Sequence, residues 1–167
     1  MIIIGIDPGY AITGYGIVKY TNNKLTVLDY GVISTKSSMP FEKRLLAISQ
    51  QIELLCEQYH PDSMGIEELF FSRNTTTAIG TAQARGVAIL TGAKAGMSIY
   101  EYTPLQVKMA VTGYGRADKK QIDYMVKLLL KIKEDIKPDD AADALAVAIC
   151  HAHTGPMKSF EAVGGYQ

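Results

Sequence analysis

Met1-Ile2-Ile3-Ile4-Gly5-Ile6-Asp7-Pro8-Gly9 opens the chain. Its isoleucines form a short apolar run of β-branched residues, which predicts a buried first strand. Asp7 closes the run, and Pro8-Gly9 turns the chain away. Tyr15–Tyr20 and Leu25–Thr35 are β-rich, and Thr21-Asn22-Asn23-Lys24 between them signals a hairpin. Phe41–Tyr59 repeats apolar residues on one helical face through Leu45, Ile48, Ile52 and Leu55, until Pro61-Asp62 breaks the pattern. Ser63–Leu69 predicts a fourth strand, Thr75–Ala95 a long helix rich in Ala and Gly, and Ser98–Tyr102 a fifth strand. Pro104–Val111, Ile122–Lys131 and Asp139–His153 predict the remaining helices. The order β-β-β-α-β-α-β-α-α-α describes an α/β fold. An antiparallel meander followed by alternating helices and strands implies a five-stranded mixed sheet flanked by helices.

The chain has 167 residues, no internal repeat and no linker, so one domain over residues 1–155 is expected, with residues 156–167 as a flexible tail. The apolar opening is too short for a signal peptide or a membrane span, and Cys56 and Cys150 have no metal-ligand spacing, so a cytoplasmic location is expected. Lys+Arg and Asp+Glu both number 17, so net charge gives no sign of an acidic partner. Between Lys94 and Lys137, however, nine basic residues face five acidic ones. A solvated helix face would explain such a run equally well.

The acids carry more information. Asp7 ends a strand, where it could simply cap the turn. Glu67 and Glu68 adjoin in Met64-Gly65-Ile66-Glu67-Glu68-Leu69, and period-2 alternation does not choose between them. Asp140 and Asp143 are three residues apart at the start of the last helix, on one helical face. Asp139, after Pro138, reads as the N-cap. Singly, each acid has an ordinary structural explanation, because helix N-termini favour negative charge. Collectively they suggest more. Ala141, Ala142, Ala144, Ala146 and Ala148 would let this helix lie close to a sheet. Beside the first and fourth strands it would make the carboxylates converge. Anions so gathered require cations, and all-oxygen ligation suits Mg²⁺, with Mn²⁺ as substitute, rather than Zn²⁺. Two such ions would form a clamp for in-line attack on a phosphodiester.

Several blocks resemble one family in its order. Ile4-Gly5-Ile6-Asp7-Pro8-Gly9, Thr13-Gly14-Tyr15-Gly16, Gly65-Ile66-Glu67-Glu68-Leu69-Phe70, Gln83-Ala84-Arg85-Gly86-Val87-Ala88 and Asp140-Ala141-Ala142-Asp143-Ala144-Leu145-Ala146 are similar to the signature blocks of RuvC resolvases. The resemblance spans Met1 to about His153. It implies a ribonuclease H-like fold and cleavage of four-way (Holliday) DNA junctions by a homodimer. It also implies work alongside junction-binding and branch-migration motor proteins. It assigns catalysis and metal binding to Asp7, Glu67, Asp140 and Asp143, and so selects Glu67 over Glu68. Some relatives carry His where this chain has Asp140. His151 and His153 lie beyond the motif and read as ordinary helix-end residues.

The same resemblance places Lys108 and Lys119 near the scissile phosphate, where they would offset transition-state charge. Phe70 aligns with an aromatic that stacks on an unpaired base, whereas Phe71 reads as buried. Arg73, Arg116 and Lys120 are further candidate phosphate contacts, with Tyr114 beside them. Gly80, Gly86 and Gly92 in the long helix suggest close approach of another backbone. In the family this helix lies in the dimer interface.

Other functions share parts of this pattern. Gly-Ile-Asp-x-Gly also opens the phosphate motif of actin-like sugar kinases and ATPases, but those need a second copy of the domain. A ribonuclease acting on structured RNA would use the same fold. A non-catalytic junction binder would gain nothing from a repulsive anionic pocket.

Overall fold

The computed structural model describes residues 1–69 and 75–155. Its elements run β1 (Ile2–Asp7), β2 (Ile12–Thr21), β3 (Lys24–Ser34), α1 (Phe41–Tyr59), β4 (Ser63–Glu67), α2 (Thr75–Lys94), β5 (Ser98–Tyr102), α3 (Pro104–Thr112), α4 (Lys119–Leu130) and α5 (Asp139–Thr154). They form one five-stranded sheet in the order β3-β2-β1-β4-β5. β2 is antiparallel to both β1 and β3, whereas β4 is parallel to both β1 and β5. The mixed α/β sheet expected from the sequence is present, with the ribonuclease H-like strand arrangement. Among the described residues no helix is long and apolar enough to cross a membrane.

The hairpin between β2 and β3 turns on Asn22 and Asn23, both at positive φ (51° and 59°). Asparagine tolerates this region, and such turns match the twist of the strands. Alternation along β1 divides the core into two layers. Ile4 and Ile6 pack with Ile48, Ile52, Met64 and Ile66 under α1 and α2. Ile3 packs with Tyr102, Leu145 and Ile149 on the face covered by α3, α4 and α5.

Helix boundaries differ from the sequence reading where side-chain caps intervene. α4 begins at Lys119, three residues before the predicted start, because Asp118 and Gln121 form a capping box. α5 begins as predicted at Asp139, but Pro138 stands at the N-cap and makes no side-chain cap bond. Asp139 is therefore the first helical residue and not the cap, a place where its charge still suits the helix dipole. β4 stops at Glu67 because its partner strand stops at Tyr102, just before Thr103 caps α3.

α5 lies unusually deep. All of its residues from Ala144 to Ala152 are buried. The alanines form one half of this contact and glycines on the sheet the other. A Cβ built on Gly5 would stand 2.1 Å from the Ala144 carbonyl oxygen, and one on Gly14 would stand 2.0 Å from that of Asp140. Gly16 meets Leu145 and Gly65 meets His151 in the same trough.

Candidate active site

Side-chain parity turns the acids toward α5. Asp7 shares a face with Gly5, and Glu67 shares one with Gly65; both glycines touch α5. β1 and β4 are parallel, with Gly5 opposite Gly65 and Ile6 opposite Ile66. Asp7 and Glu67 therefore stand side by side at the same end of neighbouring strands. Ile66 points into the other layer. Asp140 and Asp143 come in from the first turns of α5, held at that height by the Gly14 contact.

The four acids feel one another. Burial, then the charges of Glu67, Asp143 and Asp140, push the Asp7 carboxyl up to about 8. A side-chain hydrogen bond with Glu67 adds to the rise. Glu67 is itself raised by burial and by Asp143, although the bond from Asp7 and the charge of Lys119 pull it the other way. Lys119 makes a short ion pair with Asp143 and lies 3.7 Å from Asp123. Burial works to lower its pKa, but Asp143, Asp123 and Asp139 outweigh that and hold the ammonium above its ordinary value.

Among the described residues, no three His, Cys, Asp or Glu side chains stand in a finished ligating geometry. Instead the Asp7 and Glu67 carboxyls interact with each other, and the Lys119 ammonium engages Asp143. This is how crowded anions compensate with the positive charge the chain itself supplies. The donor set, all carboxylate oxygens, fits a hard divalent cation.

Lys108 and Lys119 line one cleft with Glu67 and Asp143, a cavity of about 220 Å³ floored by Val107, Ile122 and Ala146. The capping box at Asp118 fixes Lys119 in the first turn of α4 and so aims it there. Arg116 and Lys120 are exposed and do not line that cleft. Lys120 lines a separate groove with Tyr114 and Tyr124. Phe70, Phe71 and Arg73 lie outside the described residues.

The sequence reading of His151 needs correction. It is not an ordinary helix-end residue but is only 2% exposed. Its Nε2 lies 2.8 Å from Ser63 Oγ and its Nδ1 lies 2.6 Å from the Tyr102 hydroxyl. Gly155 leaves room for the ring, which a Cβ built there would strike, while Gly65 faces the His151 Cβ. His153 is half-buried, with Nδ1 3.2 Å from the Ala110 carbonyl oxygen. An Ala-rich helix without obvious polarity hid the connection, which needs strand partners remote in sequence. Burial holds the His151 imidazole down at about 4, against an ordinary 6.5. The unfolded chain therefore takes up this proton first as pH falls. His151 should contribute stability that is complete above pH 6.5 and lost toward pH 4. Melting temperatures over that range should fall less steeply in His151→Gln than in wild type; parallel curves would contradict the assignment.

Comparison with known proteins agrees with this architecture. The family model for crossover junction endodeoxyribonuclease RuvC matches residues 3–151. The crossover junction endodeoxyribonuclease RuvC of Alkaliphilus metalliredigens is 58% identical over 159 residues, covering 95% of this chain and 97% of that protein. The RuvC of Clostridioides difficile is 52% identical over 166 residues, covering 99% and 98%. The solved structure of Thermus thermophilus RuvC in complex with a Holliday junction substrate superposes with a TM-score of 0.92 at 32% identity, covering 98% of this chain and 99% of that one. On its sequence and on its fold alike, the chain belongs to the RuvC family of crossover junction endodeoxyribonucleases.

Proposed function

We propose that the protein resolves four-way DNA junctions by hydrolysing one phosphodiester in each of two strands of like polarity. The observation that carries this reading is the carboxylate group of Asp7, Glu67, Asp140 and Asp143 at one end of the sheet, crowded enough to raise Asp7 to about 8. The nuclease unit comprises residues 1–155 and acts in the cytoplasm, alongside junction-binding and branch-migration motor proteins.

The acids would hold Mg²⁺, two ions per site, with Mn²⁺ as substitute. When bound, such ions supply an activated water and charge stabilisation for the leaving oxygen. The remaining work belongs to the chain. α5 and the ends of β1 and β4 fix the acids against one another. Lys108 and Lys119 face the cleft and can meet the charge that develops on the scissile phosphate. Arg73, Arg116 and Lys120 anchor flanking phosphates, which sets position and not sequence. Phe70 stacks on an unpaired base at the branch point. Expulsion of the 3′ oxygen leaves 5′-phosphate and 3′-hydroxyl ends, which ligase can seal.

A synthetic mobile junction mapped at nucleotide resolution tests this directly. Mg²⁺ and Mn²⁺ should both give paired cuts. Ca²⁺ should support binding with little cutting, because its larger and more flexible shell fits the two-ion geometry poorly. Robust cutting in excess EDTA, or equal cutting of RNA hairpins, would sink the proposal.

Resolution needs two sites, and a two-fold homodimer supplies them. α2 supports this: Ile79 and Leu90 are exposed on it, and nothing lies within 4 Å of a Cβ built on Gly86. Mixing wild-type subunits with excess Asp7→Asn subunits should lower resolved duplex faster than total nicking. A monomer in sedimentation, on and off DNA, would exclude the dimer.

A further inference from the structure

The face of the sheet opposite α5 also reaches the site. Because Glu67 faces α5, Glu101, which lies beside Ile66 in register, points toward α2. There it pairs with Arg85, both side chains being largely covered at 16% and 25% exposed. Arg85 does a second thing. Its Nε donates to the main-chain oxygen of Glu67 at 3.2 Å. The N–H of Glu68 donates to the Tyr102 oxygen at 2.9 Å. These two bonds hold one and the same peptide group, its carbonyl from α2 and its N–H from β5.

That peptide sits where β4 ends, so no further strand pairing fixes it. Its orientation sets the last backbone torsion of Glu67, and with it the direction in which the carboxylate leaves the strand. A planar guanidinium can bridge a carbonyl and a carboxylate at fixed geometry, whereas an ammonium offers no such fork. The positive charge of Arg85 is matched by Glu101 on the far side of the sheet. Its effect on the acids is therefore exerted through the backbone.

We infer that Arg85 is a positioning residue for Glu67: clamped by Glu101, it fixes the Glu67–Glu68 peptide and so aims the Glu67 carboxylate at Asp7. This rests on the reading of Glu67 as a metal-binding acid.

The test uses the full chain as wild type, Arg85→Ala, Arg85→Lys and Glu101→Gln. Mn²⁺ is titrated without DNA, with thermal stabilisation as the readout. Junction affinity is measured in Ca²⁺, and cleavage in saturating Mg²⁺. Both Arg85 variants should bind the junction like wild type, but need about 10-fold more Mn²⁺ and cleave about 10- to 100-fold more slowly. Glu101→Gln, which keeps a neutral acceptor, should fall between them and wild type. Guanidinium ion added to Arg85→Ala should restore part of the cleavage, and should do nothing for Asp7→Asn. If Arg85→Ala does not fold, Arg85→Lys and Glu101→Gln decide the matter by the same Mn²⁺ shift. Wild-type Mn²⁺ midpoints in the folded variants would overturn the inference, as would a rate loss matched by an equal loss of junction binding. Failure of wild type to cut the junction would instead overturn the proposed function, and the DNA-free Mn²⁺ titration would still judge Arg85.

Discussion

Asp7→Asn should lower the junction-cleavage rate by about 1,000-fold while leaving junction binding intact or tighter. The substitution keeps the shape of the side chain and removes the carboxylate that feels all three of the others. Asp7 bears burial and the repulsion of three other carboxylates, so it has most to lose from standing without a cation and most to offer one. The same residue should leave a mark on stability without metal. Its folded pKa is raised from 3.8 to about 8, so between those values the folded state holds a proton that the unfolded chain releases. Stability contributed in this way is present below pH 4 and lost as pH rises through 8. Metal-free wild type should therefore weaken relative to Asp7→Asn across that window, and Mg²⁺ should recover the difference only for wild type. Wild-type cutting rates in purified Asp7→Asn, or identical pH–stability curves, would remove Asp7 from the site.

Gly5→Ala should be as damaging to the fold as Asp7→Asn is to the chemistry. A single methyl there would stand 2.1 Å from the Ala144 oxygen, 2.7 Å from the Ala148 nitrogen and 2.9 Å from the Ala148 Cβ. Backbone cannot step aside as a flexible side chain can, so α5 must lift from β1. Overpacking of this kind costs about 3 kcal/mol or more, a drop of roughly 10 °C in melting temperature for a domain of this size. The lift also separates Asp140 and Asp143 from Asp7 and Glu67. Molecules that remain folded should therefore need more Mg²⁺ to cleave. Calorimetry beside a metal titration checks both. An unshifted melting temperature would mean that α5 does not press on β1 as described.

Much of this was legible in the chain because local signals agreed with the fold. The isoleucine run of β1, the Asn22-Asn23 turn and the helical face of Phe41–Tyr59 each form what their residues prefer. The alanines of α5 announced close packing. Their partners, Gly5, Gly14, Gly16 and Gly65, were visible only as separate glycines, since nothing local says that four points on three strands form one trough. Glu67 against Glu68 could not be decided by alternation, which fixes parity but not which face the last helix covers. His151 and Arg85 were missed for the same reason. Their partners Ser63, Tyr102 and Glu101 are chosen by strand register, a property of the assembled sheet. The caps erred by small steps: Asp118 with Gln121 was a readable signal, while Pro138 displaced Asp139 from the expected position.

Three of the four acids come from distant parts of the chain, Asp7 in the first strand and Asp140 and Asp143 in the last helix, with Glu67 between them in β4. Contacts of such sequence separation form late, after the entropy of closing the intervening chain has been overcome. A nascent chain emerging from the ribosome thus carries Asp7 for almost its whole synthesis without a site to complete. Prematurely terminated products that lack α5 also lack half the acids and the helix that covers Ile3. If the four acids form the site as proposed, a fragment without α5 should leave junctions uncut.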